Sequence, residues 1–521
     1  MPTYSTPGVY VNEGTLASLT PSVTGGTAAV FFGAAARGPE TPTLINDWSS
    51  YKRIYGDLSN AYDLGYSVYH YFANGGRSCY VVRVVGTYDT AAGTADSVTP
   101  DAAAVTDIAY YPTGSANASA GLFDAEAISN GTWGNNLSIG IVGGLVNATA
   151  SAHGTFSVVV YLDNVEVERW PEMTLDADGS RYVSTVINTY SKYIKISNLS
   201  TAAPSADLDW ITEVDQKWAL TGGAEGVVGA QDFNGAVDRI DTVKGTLLLN
   251  AVGQTTTTVT SPLINKAVER GDSFVIIDPD ITSETVTDIQ TVASNYGGLG
   301  NGGYAAMFAP ALKMVDPAKT GPGAIRTTYP GGAVAGLMVR TEVQRSVAKA
   351  AAGFNADING ALGLAVNLSD TDIGTLYDGN PYVNSFKAVP GGGIVVYGAR
   401  TLARTSADKF IPVRRTLNYL KDSLKQLTEF AVFEPNDQNL WTRINLVVSG
   451  FLAEFYRSGG LVGSNASQAF FVVCDETNNT ITSIDQGIVN VEVGVALQYP
   501  AEFIVINLSQ WTGGSNSVES L

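Results

Sequence analysis

The chain has 521 residues, of which 45% are hydrophobic and 15% are charged, and its formal charge at pH 7 is −19. This length exceeds what one hydrophobic core usually serves, so we expect about three or four domains. The acidic charge disfavours nucleic acid and anionic lipid as direct partners.

An extended arm is predicted at the N-terminus. Residues 6–13 include Val9, Tyr10 and Val11, carry a proline at position 7 and lack a helical period. Strand, helix and strand patterns follow at residues 27–33, 61–72 and 79–85, which indicates the opening of an α/β layer. We therefore predict an arm at residues 1–22 and the N-terminal part of a core domain at residues 23–92.

An acidic, mainly β domain is predicted at residues 93–225. Between residues 95 and 225 there are 16 acidic and 5 basic side chains, so this region carries −11 of the total charge. Alternating apolar residues at 137–142 and 156–162 favour strands, and residues 182–193 favour one helix. A solvated outer face explains such a composition more simply than specific recognition does.

Apolar strands alternate with helices through residues 226–388. Strand patterns at residues 246–250, 273–278 and 304–308 are separated by helix patterns at residues 262–270 and 285–295. This alternation predicts a parallel sheet covered on both faces. The glycine-rich run at residues 297–303 lies between a helix and a strand, the reverse of the order in a phosphate-binding loop, so we interpret it as a flexible loop.

The clearest helical pattern lies in the C-terminal part of the core domain, residues 389–498. Its apolar stripe, spaced 4, 3, 4 and 3 residues apart, consists of Val413, Leu417, Leu420, Leu424 and Leu427. Arg414, Lys421 and Lys425 lie opposite this stripe, with Arg415 beside them. Residues 400–425 hold seven basic and two acidic side chains, so this face is either a partner surface or solvated helix charge.

The last apolar strand lies in residues 499–521, the predicted C-terminal strand and tail. Phe503, Ile504, Val505 and Ile506 are β-branched or aromatic, and a polar tail follows them. A terminal strand needs a sheet in which to pair its backbone groups. Together with the N-terminal arm, it suggests strand addition between subunits.

No catalytic, cofactor or metal site is predicted. The only histidines are His70 and His153, so the regions after residue 153 cannot build a Ser-His-Asp triad from their own residues. Cys79 and Cys474 do not form a zinc site with these histidines and are expected to stay reduced. An acidic cluster could attract a cation but is better explained as helix N-terminal acids. It consists of Asp278, Asp280, Glu284 and Asp288.

The sequence lacks the signals that direct a chain to export or to a membrane. No apolar run approaches the ~20 residues that cross a bilayer, and residues 1–11 lack the basic and apolar segments of a signal peptide. We therefore expect the chain to fold in a cytoplasm without inserting into a membrane.

Short motifs near both ends of the chain occur in an order that is typical of one family. They are Pro7-Gly8-Val9-Tyr10-Val11-Asn12-Glu13, Gly38-Pro39, Phe72-Ala73-Asn74-Gly75-Gly76, Gly398-Ala399-Arg400-Thr401-Leu402, Val413-Arg414-Arg415-Thr416-Leu417, Phe433-Glu434-Pro435-Asn436, Leu440-Trp441, Gly459-Gly460-Leu461-Val462-Gly463, Ala469-Phe470 and Pro500-Ala501-Glu502-Phe503. In this order they resemble the contractile tail sheath proteins of bacteriophages. Each motif is short, but the ordered set is specific.

This resemblance implies a multidomain α/β fold. Its core domain is built from both chain ends and carries two insertions: a subtilisin-like α/β layer without catalytic residues at residues 226–388, and the mainly β outer domain. Extended N- and C-terminal arms complete it.

The resemblance also implies a structural role in the virion, with assembly in the host bacterial cytoplasm. The subunit would polymerise as stacked hexameric rings around a tail tube and contract to drive the tube through the host envelope. Its partners would be other copies of itself, the tube protein, and baseplate and tail terminator proteins. The basic face of Arg414, Arg415, Lys421 and Lys425 would then contact the tube. The alternatives are the sheath of a phage-derived injection machine, such as an R-type bacteriocin or secretion system, and, in another class, a surface hydrolase or receptor-binding protein.

Overall fold

A computed structural model of the chain describes residues 26–86, 105–109, 121–142, 155–174, 176–197, 217–224, 226–299, 301–321, 323–391, 393–404 and 408–502. None of the helices in these ranges is long and apolar enough to cross a membrane. Elements are numbered in chain order below.

The described residues up to 224 contain β1 Ala28–Gly33, β2 Thr43–Ile45, α1 Trp48–Tyr55, α2 Asp63–Ala73, β3 Cys79–Arg83, β4 Val105–Ala109, β5 Gly121–Ala127, β6 Leu137–Val142, β7 Phe156–Leu162, β8 Val165–Met173, α3 Val183–Tyr190, β9 Ile194–Ser197 and β10 Lys217–Ala219. The middle segment contains α4 Ala230–Val237, β11 Leu247–Ala251, α5 Thr257–Arg270, β12 Ser273–Ile277, α6 Val286–Ser294, β13 Ala305–Phe308, β14 Leu312–Val315, β15 Ile325–Thr328, α7 Gly331–Gln344, β16 Ala361–Leu364, α8 Asp370–Tyr377 and β17 Val383–Val389. The last segment contains β18 Gly393–Tyr397, α9 Ile411–Thr428, α10 Gln438–Arg457, α11 Ala466–Ala469, β19 Phe470–Val473, α12 Ile481–Asp485 and β20 Glu492–Val495.

An eight-stranded sheet joins the two chain ends to the middle segment. Its strand order is β18-β17-β13-β12-β11-β1-β3-β2, and the six inner strands are parallel. Because β1 pairs with β11, the N-terminal strands and the strands of residues 226–388 share one sheet. The division into a core domain at residues 23–92 and 389–498 and an inserted layer at residues 226–388 stays a prediction. The predicted parallel arrangement itself is present.

Both faces of this sheet are buried, which explains the continuous apolar strands. β11 and β12 are buried at every position. On one face α7 packs closely on α2, because two α7 glycines face the α2 backbone. A Cβ atom on Gly332 would lie 2.0 Å from the carbonyl oxygen of Ser67, and one on Gly336 would lie 2.3 Å from that of Tyr71. Close backbone approach therefore fixes this helix pair.

The acidic insertion is mainly β, as predicted. Strands β10-β6-β7-β8 and β4-β5-β9 form two antiparallel sheets, and the predicted helix is α3. Their shared core includes Phe123, Ile139 and Ile187. Arg83, next to this domain, donates from Nε to the carbonyl oxygen of Ala35 at 2.8 Å and from Nη1 to that of Asn130 at 2.9 Å. It thereby ties the insertion to the main sheet.

The C-terminal lobe, comprising α9, α10, β19 and β20, has a separate apolar core. Leu420, Ile444 and Leu452 lie at its centre. Asp437 caps α10 by accepting a hydrogen bond from the amide of Leu440 at 2.9 Å. The two strands form a small antiparallel sheet against α10. This lobe carries most of the surfaces described next.

Candidate assembly surfaces

Both predicted inter-subunit arms lie outside the described residues. Val9, Tyr10 and Val11 precede residue 26, while Phe503, Ile504, Val505 and Ile506 follow residue 502. The structure does describe the points from which they leave, Gly26 and Glu502. We refer to these two residues as the arm roots.

The C-terminal arm root is fixed by a buried ion pair. Nε and Nη2 of Arg400 donate to the two carboxylate oxygens of Glu502 at 2.8 and 2.6 Å. The guanidinium lies 3.8 Å from the ring centroid of Tyr377 and 4.6 Å from that of Tyr382, and the Tyr377 hydroxyl donates to Glu502. We call Arg400, Glu502 and Tyr377 the arm clamp. Such a two-point pair defines orientation as well as position.

The carboxylate of the arm clamp is ionised at neutral pH. Burial by itself would raise the pKa of Glu502, but hydrogen bonds from Arg400 and Tyr377 and the charge of Arg400 outweigh it and hold the pKa below its usual range. Burial and the neighbouring carboxylate raise the pKa of the Tyr377 hydroxyl, which therefore remains a donor. The clamp is a complete charge pair rather than a proton-transfer site.

Two of the four predicted tube-facing residues are buried inside the subunit. Arg414 is 6% exposed, forms an ion pair with Asp408 at 3.0 Å and lies over the ring of Tyr304. Arg415 is 3% exposed and forms an ion pair with Glu342 at 2.6 Å. The prediction that Arg414 and Arg415 belong to an outward basic face is therefore wrong. The first two turns of α9 are buried, and the two arginines bind α9 to neighbouring parts of the same subunit.

The other two basic residues are on the surface. Lys421 and Lys425 are exposed on the later turns of α9, and Nζ of Lys421 lies 3.5 Å from the hydroxyl of Tyr304. Neither forms an ion pair among the described residues. Contact between them and another protein stays a prediction.

The sheet of the C-terminal lobe has two strands and therefore two edges. Within the described part of the chain, no further strand pairs with β19 or β20. Phe471 on β19 is 52% exposed and lies over Gly494 of β20, where a Cβ atom would be 2.1 Å from its ring. A two-stranded sheet is marginal by itself, and open edges accept additional strands.

An apolar groove runs beside β20. It has a volume of about 690 Å³ and is lined by Val491, Val493, Ile444 and Val448, with Val432 and Phe433 at its rim. The side chain of Phe433 is fully exposed, and its backbone has a left-handed φ of 67°. An aromatic residue in this conformation is strained, so the surrounding loop has to hold it outward.

Of the titratable residues singled out in the sequence, Asp278 and Asp288 accept hydrogen bonds within the subunit. His70 is buried on α2, and burial lowers its pKa to about 4. Asp278 is buried and accepts from the amide nitrogens of Gly331 and Gly253 at 2.8 and 3.1 Å, while burial raises its pKa to about 6. Asp288 accepts from the amide of Thr285 in the capping box of α6, which confirms the helix N-terminal interpretation for this residue. His153 lies outside the described residues.

No group of three or more metal-ligating side chains occurs within the described ranges.

The arm clamp is the feature that the sequence analysis missed. Arg400 and Glu502 are 102 residues apart, and local patterns do not pair them. A signal was present, since each is an isolated charge within a motif of small or apolar residues. Because the two charges are opposite, the sequence could have suggested that Arg400 and Glu502 form an ion pair.

Comparison with known proteins relates these surfaces to one family. Residues 404–510 match the family model described as phage tail sheath C-terminal domain. The tail sheath protein of Vibrio phage KVP40 is 31% identical over 178 residues, which are 34% of this chain and 25% of that protein. The match thus spans about a quarter of the length of this curated relative.

Solved structures match the fold over nearly the whole chain. The sheath of an extracellular contractile injection system, PVC, in its contracted state has a TM-score of 0.56 at 21% identity, with 98% of this chain and 99% of that chain covered. A sheath tail protein from Listeria innocua has a TM-score of 0.58 at 14% identity, with 87% and 89% covered.

These matches confirm a mixed α/β fold with several sheets, while the subtilisin-like topology of residues 226–388 stays a prediction. The resemblance to contractile tail sheath proteins is also confirmed, because residues 404–510 match the model of the phage tail sheath C-terminal domain and part of the chain is similar to a curated tail sheath protein.

Proposed function

We propose that this chain is the structural subunit of a contractile tail sheath. It polymerises as stacked hexameric rings around a tail tube and contracts to drive the tube through the host envelope. The observation that carries this proposal is the two-stranded sheet β19-β20, which lies within the matched domain and whose β20 edge pairs with no further strand among the described residues. Extended arms predicted at both chain ends supply the strands that such edges accept.

In this proposal, subunits are linked by strand addition. The strands around Val9–Val11 and Phe503–Ile506 of neighbouring copies add to this sheet. Each added main-chain hydrogen bond contributes roughly 1 kcal/mol net. The groove beside β20 receives the apolar side chains of an added strand, because Val491 and Val493 line it. Flexible connections to the arms then allow rigid-body rotation during contraction.

We propose further that Lys421 and Lys425 face the tube and that the acidic insertion lies on the outside of the sheath. The exposed positions of both lysines support the first part. The second rests on the charge of residues 95–225. Assembly takes place in the host cytoplasm and requires baseplate and terminator proteins. The non-enzymatic role rests on the relatives, which are named as sheath proteins.

Deletion of residues 1–13 or of residues 503–521 tests the assembly proposal. We expect the purified full chain to form tubes or rings in electron micrographs and both truncated chains to remain monomers with unchanged far-UV circular dichroism. The physical reason is that each truncation removes one added strand without touching a described core. Normal tubes from either truncated chain would contradict strand addition.

A second candidate is the sheath of a phage-derived injection machine. The fold match to the PVC sheath supports this second candidate, because the match covers almost the whole of both chains. The two candidates share the subunit mechanism and differ in the cargo of the particle. Genes for a capsid next to the gene for this chain would support the phage tail, and their absence the injection machine.

A further inference from the structure

A wide groove separates α10 from the N-terminal ends of the parallel strands. Its volume is about 1570 Å³. One wall is formed by Arg443, Leu446 and Gly450 of α10, and the opposite wall by Lys244 and Gly245 before β11. The end of α9 and the side chain of Phe430 close one end. Nothing among the described residues fills this space.

The N-terminal arm root lies in the same groove. Gly26 and Ala28 both line it, and the amide of Ala28 donates to the carbonyl oxygen of Thr246 at 3.1 Å. The side chain and amide of Thr27 donate to Glu342 at 2.6 and 3.2 Å. Since consecutive Cα atoms are about 3.8 Å apart, the preceding 25 residues must start from within the groove.

The wall formed by α10 has features of a covered surface. Leu446 is 73% exposed, although it lies on a helix whose other large apolar residues are at least partly buried. Gly450 lies in the middle of this helix, where a glycine costs about 1 kcal/mol relative to alanine. No atom lies within 4 Å of the position that its Cβ would occupy, so another backbone can approach closely.

The segment that precedes Gly26 has matching chemistry. Residues 14–25 contain no charged side chain and include Leu16, Leu19 and Val23. The rim of the groove carries both signs of charge, for example Arg457 and Glu454. An uncharged segment can cover Leu446 and leave these rim charges in water, whereas a charged peptide would have to desolvate like charges.

We propose that residues 14–25 of the same chain lie in this groove along α10, with Leu19 covering Leu446 and the backbone passing over Gly450. The groove then directs residues 1–13 away from the subunit beyond α10. This inference rests on the proposed function only for the destination of residues 1–13. Its docking step takes place in the isolated monomer.

Disulfide cross-linking of the monomer tests this placement. The chain with Ser18→Cys and Gly450→Cys, oxidised at low concentration, should form an intramolecular disulfide that mass spectrometry identifies. Cys79 and Cys474 are buried and give little background. The control with Ser18→Cys and Thr189→Cys, which places the second thiol on exposed α3, should not cross-link. Absence of the first cross-link, or a disulfide that forms only between two single-cysteine chains, would overturn the proposal.

A second pair of variants tests docking without introduced cysteines. Gly450→Leu fills the space above α10, so chymotrypsin should cleave the full chain near Leu19 at least tenfold faster than in the wild type. Gly235→Leu is the matched control, because Gly235 is also an exposed glycine inside a helix with open space above it. Equal cleavage rates in both variants would contradict the proposal. A chain that cross-links as expected but never forms tubes would count against the sheath function alone.

Discussion

At the scale of single residues, buried charges are placed as connectors. Arg415 links α9 to Glu342 on α7, and Arg400 links the end of the described chain to the segment after β18. Sequence patterns identified these arginines as parts of motifs but could not tell a buried arginine from a solvated one. Burial depends on acidic partners that lie far away in the sequence, and helical spacing does not reveal them.

Glu502→Gln should weaken the arm clamp. The substitution removes the carboxylate that pairs with the buried Arg400 guanidinium at two points and leaves only the exposed carboxylate of Asp378, 3.8 Å away, as a counter-charge. Breaking a fully buried pair costs about 3–5 kcal/mol, and we expect the lower end of that range because the Glu502 side chain is 13% exposed. We expect a lower midpoint of thermal unfolding and new protease cleavage after residue 495. Glu166→Gln is the control, since it breaks an ion pair with Arg169 whose side chains are 41% and 45% exposed, and there we expect a loss below about 1 kcal/mol. Equal effects would show that the clamp is not a buried pair in solution.

Acid should destabilise the layer that contains α2. The folded pKa of His70 is about 4, below its unfolded value of 6.5, so its contribution to stability is complete above pH 6.5 and is lost as the pH falls towards 4. At pH 5 this loss is about 2 kcal/mol. Asp278 acts in the opposite direction, because burial raises its pKa from 3.8 to about 6, so its contribution to stability is complete below pH 3.8 and is lost as the pH rises through about 6.

The variant His70→Gln isolates the histidine effect. Denaturant unfolding at pH 7.5 and pH 5 should show a smaller decrease in the free energy of unfolding for this variant than for the wild type. Asp278 is unchanged in both chains and cancels in the comparison. An identical decrease in the two chains would mean that His70 does not titrate as its burial implies.

At the scale of elements, the local sequence pattern predicts most helices and strands, but it does not predict which distant strands pair with each other. The sequence places β11, β12 and β13 correctly, because their continuous apolar runs are typical of buried parallel strands. It begins α5 at Pro262, whereas the helix begins at Thr257 and runs through that proline. Burial of Val259 and Leu263 four residues apart outweighs the local cost. The pairing of β1 with β11 joins residues more than 200 positions apart, and no local pattern predicts it.

A proline substitution on β20 tests whether its outer edge accepts an added strand. The amide of Ala496 donates to Ala469 at 2.8 Å, so alternation along the antiparallel pair directs the amide of Val493 away from β19. Val493→Pro removes this outward donor and keeps the pairing within the lobe. We expect a folded monomer that fails to form tubes in electron micrographs, whereas Val493→Thr assembles normally. Tubes formed by the proline variant would exclude this edge as an acceptor.

At the scale of the whole molecule, acidic charge is concentrated in residues 95–225, whereas the exposed basic charge predicted to meet a partner lies on α9. Residues 95–225 hold 16 acidic and 5 basic side chains, while Lys421 and Lys425 are exposed on the C-terminal lobe. Composition alone predicted this division. It overestimated the basic surface, since half of the predicted face is buried in ion pairs. The resemblance motifs indicated the fold class correctly, and long-range contacts determined how the motifs meet.

Charge reversal of the two lysines tests the tube contact. Lys421→Glu with Lys425→Glu should lower the yield of sheath on purified tubes, and the defect should deepen at low salt, where repulsion from an acidic tube is least screened. Lys313→Glu with Lys349→Glu reverses two other exposed lysines that form no ion pair among the described residues, and it serves as the control. An unchanged yield at every salt concentration would assign Lys421 and Lys425 to the solvated surface.

The arm clamp also determines where mechanical load would enter the subunit. Arg400 is itself bound to Asn384 of β17, with its amide and carbonyl oxygen paired to the Asn384 side chain at 2.8 and 2.7 Å. Tension applied to the C-terminal arm therefore reaches the eight-stranded sheet through Glu502, Arg400 and Asn384, and bypasses the thin β19-β20 pair. If the proposed strand addition holds, the lobe that accepts strands and the arm that carries the load are braced against different parts of the same subunit, so a ring under tension would not have to unfold the sheet that joins its subunits.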